Sequence, residues 1–442
     1  MTHLSLTPDQ TSAIENVKSL LNDEKKDILI LSGKAGTGKT TIAKEMVRIA
    51  LDKEFEITLM AYTNSASNNF NNKVGYTCNT IHSTIYDHIE EDDNVIFRFK
   101  TPRKLSQSLY IIDEASLIPS VSYNGSGFIT PSNILQDLIL FCREECEDAK
   151  FIFIGDSYQL PPVNESISAA LDKDKIKQFW TGECNVLVSE LTQIHRQEEN
   201  SEIITQSSFC LDALELGSAF NVKGRFSRVY EQSAIYNLAT SITDHCNLDS
   251  VSIAHTNKSV NIINRLVRNT LNRPNDMVAE GDHLTIHQTC LIEGEILYQG
   301  TKLLITNCES ASNTWAGIRF QEITFSAEGH DCIFNCKINL DVLFSLKGSL
   351  YTEEEKLMKH EAIRTNKQYR ECQLDHHDPY LGAIRARFSY AMTAHKAQGQ
   401  EFDNVYIHPI WIGDDSEFKW RWLYTSITRA RFSCELFPLY SK

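Results

Sequence analysis

Apolar residues recur along this chain in two registers. Short unbroken runs, Ile28-Leu29-Ile30-Leu31, Ile57-Thr58-Leu59-Met60-Ala61, Leu109-Tyr110-Ile111-Ile112 and Phe151-Ile152-Phe153-Ile154, have the length and continuity of strands buried on both faces of a parallel sheet. Helical sequence lies near each. Ala13, Ile14, Val17, Leu20 and Leu21 recur at helical spacing behind Thr7-Pro8-Asp9-Gln10, a capping box with proline at the first helical position. Thr40 to Leu51 reads as a second helix. Strands alternating with helices predict a doubly wound α/β domain.

The alternation resumes further on. Val251-Ser252-Ile253-Ala254 reads as a strand leading into a helix from Lys258 to Leu271, and strand sequence returns at Arg387 to Met392 and Asn404 to Ile407. Two segments interrupt the pattern. Glu90-Glu91-Asp92-Asp93 followed by Val95 to Lys100 reads as a small β-hairpin or a plain surface excursion. Gly317 to Phe325 alternates as β-type sequence does, and Thr352 to Gln373 reads as one charged helix. The parsing gives a first α/β domain at 1–85 and 109–185, a hairpin insert at 86–108, a second α/β domain at 186–282 and 387–442, and a mainly β insert at 283–386. Ser122 to Ser132, with Gly125, Gly127 and Pro131, is the stretch nearest to a linker.

Composition narrows the classes. The 442 residues suffice for two to four domains, and the net charge of −15 argues against a protein that coats nucleic acid electrostatically while leaving room for a local groove. No apolar run approaches the roughly 20 residues of a membrane span, and Met1 to Asp9 lacks a signal peptide's basic and apolar regions. A cytoplasmic protein without membrane partners is expected. The 12 cysteines are scattered and read as reduced thiols. Cys372, His376 and His377 come nearest to a metal cluster, but a solvated loop explains them more simply.

The chemistry concentrates at Gly33-Lys34-Ala35-Gly36-Thr37-Gly38-Lys39-Thr40-Thr41, a phosphate loop between the first strand and its helix. Backbone N–H groups there curl around phosphates, Lys39 reaches the β- and γ-phosphates, and the Thr40 hydroxyl ligates magnesium. Asp113-Glu114 ends the third strand, where Asp113 suits the Mg²⁺ shell and Glu114 the activation of water; a plain turn pair is the bland alternative. Gln159, after the fourth strand, is placed to hydrogen-bond a γ-phosphate or the attacking water.

Gly155 to Val163, Leu191-Thr192-Gln193-Ile194-His195-Arg196, Thr393-Ala394-His395-Lys396-Ala397-Gln398-Gly399-Gln400-Glu401 and Tyr424-Thr425-Ser426-Ile427-Thr428-Arg429-Ala430-Arg431 come in a recognisable order. Together they resemble the superfamily 1 helicases, more narrowly the 5′→3′ branch, superfamily 1B, with its RecD-like and Dda-like members. The resemblance runs from Gln10 to Arg431. It implies two RecA-like motor domains with the small β-hairpin insert in the first and a mainly β, SH3-like insert in the second. It also implies ATP and Mg²⁺ as cofactors, with ATP between motor domains that close on binding.

By resemblance, Gln10 contacts the adenine, Arg196 and Arg429 are arginine fingers, and Gly399 and Glu401 lie at the nucleotide edge of the second domain. Thr63, Asn64 and His82 match strand-contacting motifs of the first domain, and Thr393, His395 and Lys396 their second-domain counterpart. Phe97 or Phe99 is the expected duplex-splitting residue of the hairpin. The family often has proline where Tyr62 stands, and Asn64 to Asn72 is rich in asparagine and poor in Lys and Arg. A core histidine is the alternative for His82 and for His395. The implied activity is ATP-driven 5′→3′ movement on single-stranded DNA and unwinding at single-strand/duplex junctions by a monomer, in replication, repair or recombination and alongside the proteins of those processes. An RNA helicase, a small-molecule kinase and an ATPase switch without unwinding are the rivals, and a distal Arg429 argues against the kinase.

Overall fold

The computed structural model describes residues 6–91, 94–122, 128–193, 202–216, 235–240, 249–345, 349–408 and 417–436. The chain forms two compact units. The first comprises the described residues of Met1–Phe220, Gln398–Gln400 and Asp415–Thr428, and the second those of Asn221–Ala397, Glu401–Asp414 and Arg429–Lys442.

The first unit is built on six parallel strands in the order Cys78–Thr80, Glu56–Ala61, Ser108–Asp113, Lys150–Gly155, Ile28–Gly33, Val186–Leu191. Successive residues face opposite layers. Leu29, Leu31, Leu59, Ile111, Ile152 and Ile154 pack with Val17, Met46 and Phe70 from the helices Pro8–Asn22, Lys39–Leu51 and Asn64–Val74. Ile28, Ile30, Tyr110, Ile112, Phe151 and Phe153 pack with Leu138 and Phe141 of the helix Ile134–Glu145 on the other side. Burial on both faces is why these strands read as continuous apolar runs.

The expected boundaries need correcting, since the described residues of Gln398–Gln400 and Asp415–Thr428, expected in the second α/β domain, belong to the first unit. Val186–Leu191, expected to open the second α/β domain, pairs with the first strand in parallel, Ile28 opposite Val186. Its broken burial pattern, with Val186, Ser189 and Leu191 inside and Val188 exposed, is that of an edge strand.

The hairpin insert is present, with Tyr86–Glu91 antiparallel to Asn94–Phe99. It is larger than expected. Phe128–Ile129, within the stretch read as a linker, adds a third strand parallel to Asn94–Phe99. The base is fastened to the unit, since the Tyr86 hydroxyl donates to Asp137 at 2.5 Å and Phe99 stacks between Tyr86 and Phe141 at 5.7 and 6.1 Å.

The second unit holds a parallel sheet in the order Ala391–Thr393, Ser250–Ala254, Phe402–His408, Ala430–Leu436, backed by the helix Asn257–Thr270. Its insert is an antiparallel sheet ordered Asn313–Trp315, Ile318–Ala327, Lys302–Cys308, His283–Ile286, Ala386–Phe388, with Ile333–Asn339 also paired to Ile318–Ala327. Because Phe388 pairs with Leu284, the insert extends past its expected end at 386, and the parallel sheet resumes only at Ala391. The expected single helix from Thr352 to Gln373 is two, Thr352–Thr365 and Lys367–Cys372. Asn366 breaks it by turning its side chain back to cap the second helix at the amides of Gln368 and Tyr369.

Asp282 fastens the insert where the chain enters and leaves it. This fully buried carboxylate accepts from Arg268 at 3.2 and 3.1 Å, from Arg273 at 2.8 Å and from the Tyr390 hydroxyl at 2.7 Å. Among the described residues no helix is long and apolar enough to cross a membrane.

Candidate nucleotide site and nucleic-acid interface

Three neighbouring strands deliver the chemistry to one edge of the first sheet. Ile28–Gly33 runs into the phosphate loop, Lys150–Gly155 into Asp156 to Gln159, and Ser108–Asp113 into Asp113-Glu114; being parallel, all three end on the same side. The carboxyl edge of such a sheet is where doubly wound domains bind ligands.

The loop itself is shaped by glycine. Gly36 and Gly38 have φ of 81° and 86°, and Gly38 caps the helix Lys39–Leu51. A Cβ on Gly38 would lie 2.7 Å from Gln10 Nε2. Gln10 is buried against the loop: Nε2 donates to the Thr37 carbonyl at 3.1 Å, and Oε1 accepts from the Thr7 amide at 3.1 Å. Lys39 Nζ donates to the carbonyls of Gly33 at 2.5 Å and Lys34 at 2.9 Å. Gly33 sits close under the loop, its place for a Cβ being 2.7 Å from Thr37 Oγ1. Thr40 and Thr41 occupy the first turn of the helix after Lys39, and Ala35 lies in the bend of the loop.

Asp113 fits a cation. Burial, then the adjacent Glu114 carboxylate, push its carboxyl up to about 7, against the hydrogen bond from the Glu114 backbone and the pull of Lys39 and Lys73. Glu114 takes a left-handed conformation at φ 50°, which turns the chain sharply after the strand Ser108–Asp113. Gln159 is buried, with Nε2 at 3.4 Å from Asp156 Oδ2. Arg196 lies outside the described residues. Arg429 is 5% exposed and belongs to the second unit.

Tyr424 opens the motif that ends in Arg431, but the motif assigns it no role of its own. Its hydroxyl accepts from the amide of Ala35 at 3.0 Å and donates to Asp156 at 2.8 Å. Nothing in the spacing of the apolar helix Glu417–Ile427 marks this tyrosine as one that touches the phosphate loop.

Gly399 has a packing reason to be glycine. At φ 75° its Cβ position would be 2.8 Å from Ala66 Cβ, and its carbonyl accepts from Asn69 at 2.5 Å. One asparagine of the Asn-rich helix is thereby accounted for. Glu401 is half-buried in the second unit.

The strand-contacting candidates of the first unit follow the strands Glu56–Ala61 and Cys78–Thr80. Thr63 caps the helix Asn64–Val74 by accepting from the Ala66 amide, and Asn64 opens that helix. His82 sits in the helix Ile81–Ile85, its ring 5.7 Å from Tyr62, 6.0 Å from Tyr86 and 5.8 Å from Phe97. Burial pushes its pKa down to about 4, which keeps it a neutral member of an aromatic cluster. Phe97 and Phe99 lie in the same cluster, at the base of the hairpin rather than its tip, because Tyr86 pairs with Phe99. Beside them a cavity of about 590 Å³ is lined by Thr77, Asn79, Ser83, Thr84, Lys100 and Arg103. In the second unit Thr393 ends a strand and His395 and Lys396 form part of the helix Ala394–Ala397. Burial, then Arg387, lower the Lys396 ammonium to about 8.

Residues 16–165 match the AAA domain family and residues 388–436 the UvrD-like helicase C-terminal domain family. The chain is 24% identical to the ATP-dependent DNA helicase dda of Enterobacteria phage T4, over 98% of this chain and 99% of that protein. It is 23% identical to the DNA replication ATP-dependent helicase/nuclease DNA2 of Saccharomyces cerevisiae, over 47% of this chain and 14% of that protein. In fold it is similar to a Bacteroides Pif1 bound to single-stranded DNA, with TM-score 0.51, 18% identity and 98% and 92% of the two chains covered. It is likewise similar to the Pif1 helicase of Candida albicans, with TM-score 0.51, 14% identity and 98% and 94% covered. With helicase motifs in order along the chain, an AAA domain match over residues 16–165, a UvrD-like helicase C-terminal match over residues 388–436 and a helicase aligned along almost its whole length, the chain is similar to the Dda-like superfamily 1 helicases, and in fold to the Pif1 helicases.

Proposed function

We propose that this chain hydrolyses ATP to translocate 5′→3′ along single-stranded DNA and to unwind duplex at single-strand/duplex junctions, working as a monomer in the cytoplasm. The observation that carries the reading is the placement at one sheet edge of Lys39, Asp113-Glu114 and Gln159, while the candidates Thr63 and His82 follow the neighbouring strands Glu56–Ala61 and Cys78–Thr80 of the same sheet.

Lys39 neutralises charge on the phosphates, Glu114 takes the proton of the attacking water, and Gln159 orients that water or the γ-phosphate. Thr40 and Asp113 are the residues that would hold Mg²⁺, whose charge would offset that of the phosphates. Gln10 reads the adenine edge from beneath the loop. Arg429 and Arg196 stabilise charge developing during transfer. Thr63, Asn64, Thr393, His395 and Lys396 hold the DNA strand; Phe97 and Phe99 anchor the hairpin that parts the duplex.

The test is ATP turnover with and without single-stranded DNA, followed by unwinding of duplexes with a 5′ tail, a 3′ tail or an RNA tail. Stimulated turnover and preference for the 5′ DNA tail are expected. Equal use of 3′ tails refutes the polarity, preference for RNA refutes the substrate, and turnover without unwinding leaves an ATPase switch.

A further inference from the structure

Tyr424 is 1% exposed, and so is Asp156. Between them they join two parts of the site that are separate in sequence. The Tyr424 hydroxyl accepts from the Ala35 amide at 3.0 Å and donates to Asp156 Oδ2 at 2.8 Å. Asp156 Oδ1 accepts from the Tyr158 amide at 3.0 Å, and Oδ2 lies 3.4 Å from Gln159 Nε2. One buried hydroxyl thus stands between the backbone of the phosphate loop and the side chain proposed to meet the γ-phosphate.

The helix that carries Tyr424 meets the same segment twice more. Arg421 donates to the carbonyls of Ser157 and Gln159, the second at 3.2 Å, and Thr425 Oγ1 accepts from the Leu160 amide at 2.9 Å. Positions 421, 424 and 425 share one helix face, so a rigid element grips 157–160 along its backbone while Tyr424 alone reaches the loop. The phenol makes this bridge with one oxygen that both donates and accepts.

We infer that Tyr424 is a positioning residue for ATP hydrolysis: its hydroxyl holds the Ala35 stretch of the phosphate loop and, through Asp156, the Gln159 amide in fixed relation, so that loop and sensor meet the γ-phosphate together. The inference rests on the ATPase reading above. Removing the hydroxyl leaves Ala35 N–H and a buried Asp156 oxygen each short of a partner, and that loss falls on the geometry of the reacting end rather than on the bulk of nucleotide binding.

Tyr424→Phe keeps the ring and its packing. Turnover, KM for ATP and single-strand affinity are measured for it, for Gln159→Ala and for the double variant. A kcat lower by about tenfold or more is expected, with KM and DNA affinity changed less than about threefold, and the double variant is expected to be about as slow as Gln159→Ala alone. Asp156→Asn, similar in shape, should give the same split. A Tyr424→Phe kcat within about twofold of the parent, or a double variant showing the product of the two single losses, overturns the inference. If the parent itself shows no DNA-stimulated turnover, the hydrolase reading fails and the inference with it; a failure confined to the variants strikes the inference alone.

Discussion

Gln10 Nε2 donates to the carbonyl of Thr37 at 3.1 Å, bonding the first helix of the chain to the phosphate loop. The same side chain closes the capping box of that helix with Thr7. Gln10→Ala removes both contacts. It should cost about 1 kcal/mol of stability through the cap and raise KM for ATP while narrowing the preference for ATP over GTP. The check is a melting curve together with KM for the two nucleotides. An unchanged ATP/GTP ratio would make Gln10 a strut of the loop and no reader of adenine.

Lys39 and Arg429 should separate binding from chemistry. Lys39→Ala is expected to abolish hydrolysis while single-strand binding persists, since the loop and the Thr63 and His82 region lie beyond different strands of the sheet. Arg429→Ala should bind ATP analogues within about tenfold of the parent, or about 1.4 kcal/mol, yet lose roughly 10³ or more in DNA-stimulated turnover. Arg429→Lys keeps the charge without the planar fork and should also be impaired. Single-turnover hydrolysis and analogue affinity on the same preparations decide it; parental turnover in Arg429→Ala removes that residue from the chemistry.

Asp282 answers a different question, that of how the insert is held. Two guanidiniums and a phenol converge on it in a buried site. Asp282→Ala leaves Arg268 and Arg273 facing each other without a counter-charge, and breaking such a pair costs about 3–5 kcal/mol. The expected result is a large fall in the melting temperature with the phosphate-loop chemistry intact in the protein that remains folded. A loss under about 1 kcal/mol would mean that solvent reaches the two arginines.

What the sequence revealed and what it hid follow from how local each feature is. Leu29, Leu59, Ile111 and Ile152 announce themselves because a central parallel strand is apolar on both faces, whatever its neighbours. Val186–Leu191 carries an edge strand's mixed pattern, and nothing in that pattern says which sheet's edge it joins; the answer lies in its pairing with Ile28. The phosphate loop is legible because all its parts are contiguous. Tyr424 is not, because the amide it bonds is 389 residues away and a buried tyrosine in an apolar helix looks like core. Phe97 and Phe99 were visible as hairpin aromatics, but register decides base from tip, and register comes from the pairing of Tyr86 with Phe99.

Lys396 offers a test by pH. Its ammonium is lowered to about 8 by burial and by the cation of Arg387, and burial, then the cations of Arg387 and Lys396, hold nearby His287 down to about 4. In the unfolded chain a lysine keeps its proton to about 10.4, so between about 8 and 10 the unfolded state binds more protons and stability rises with pH. Below about 8 the charge is retained at a cost to folding, which is consistent with a charge kept for a phosphate. DNA binding favours the charged form, so single-strand affinity should fall as pH is raised from 7 to 9, by about tenfold if one charge-assisted contact is lost. Lys396→Met should bind more weakly at pH 7, lose the part of the pH dependence centred near 8, and be more stable than the parent at pH 7. Equilibrium binding to a fluorescent single strand across that range, with melting curves on the same samples, reads both signs. If Lys396→Met keeps the parent's pH profile, the titrating group is another one and Lys396 does not touch the strand.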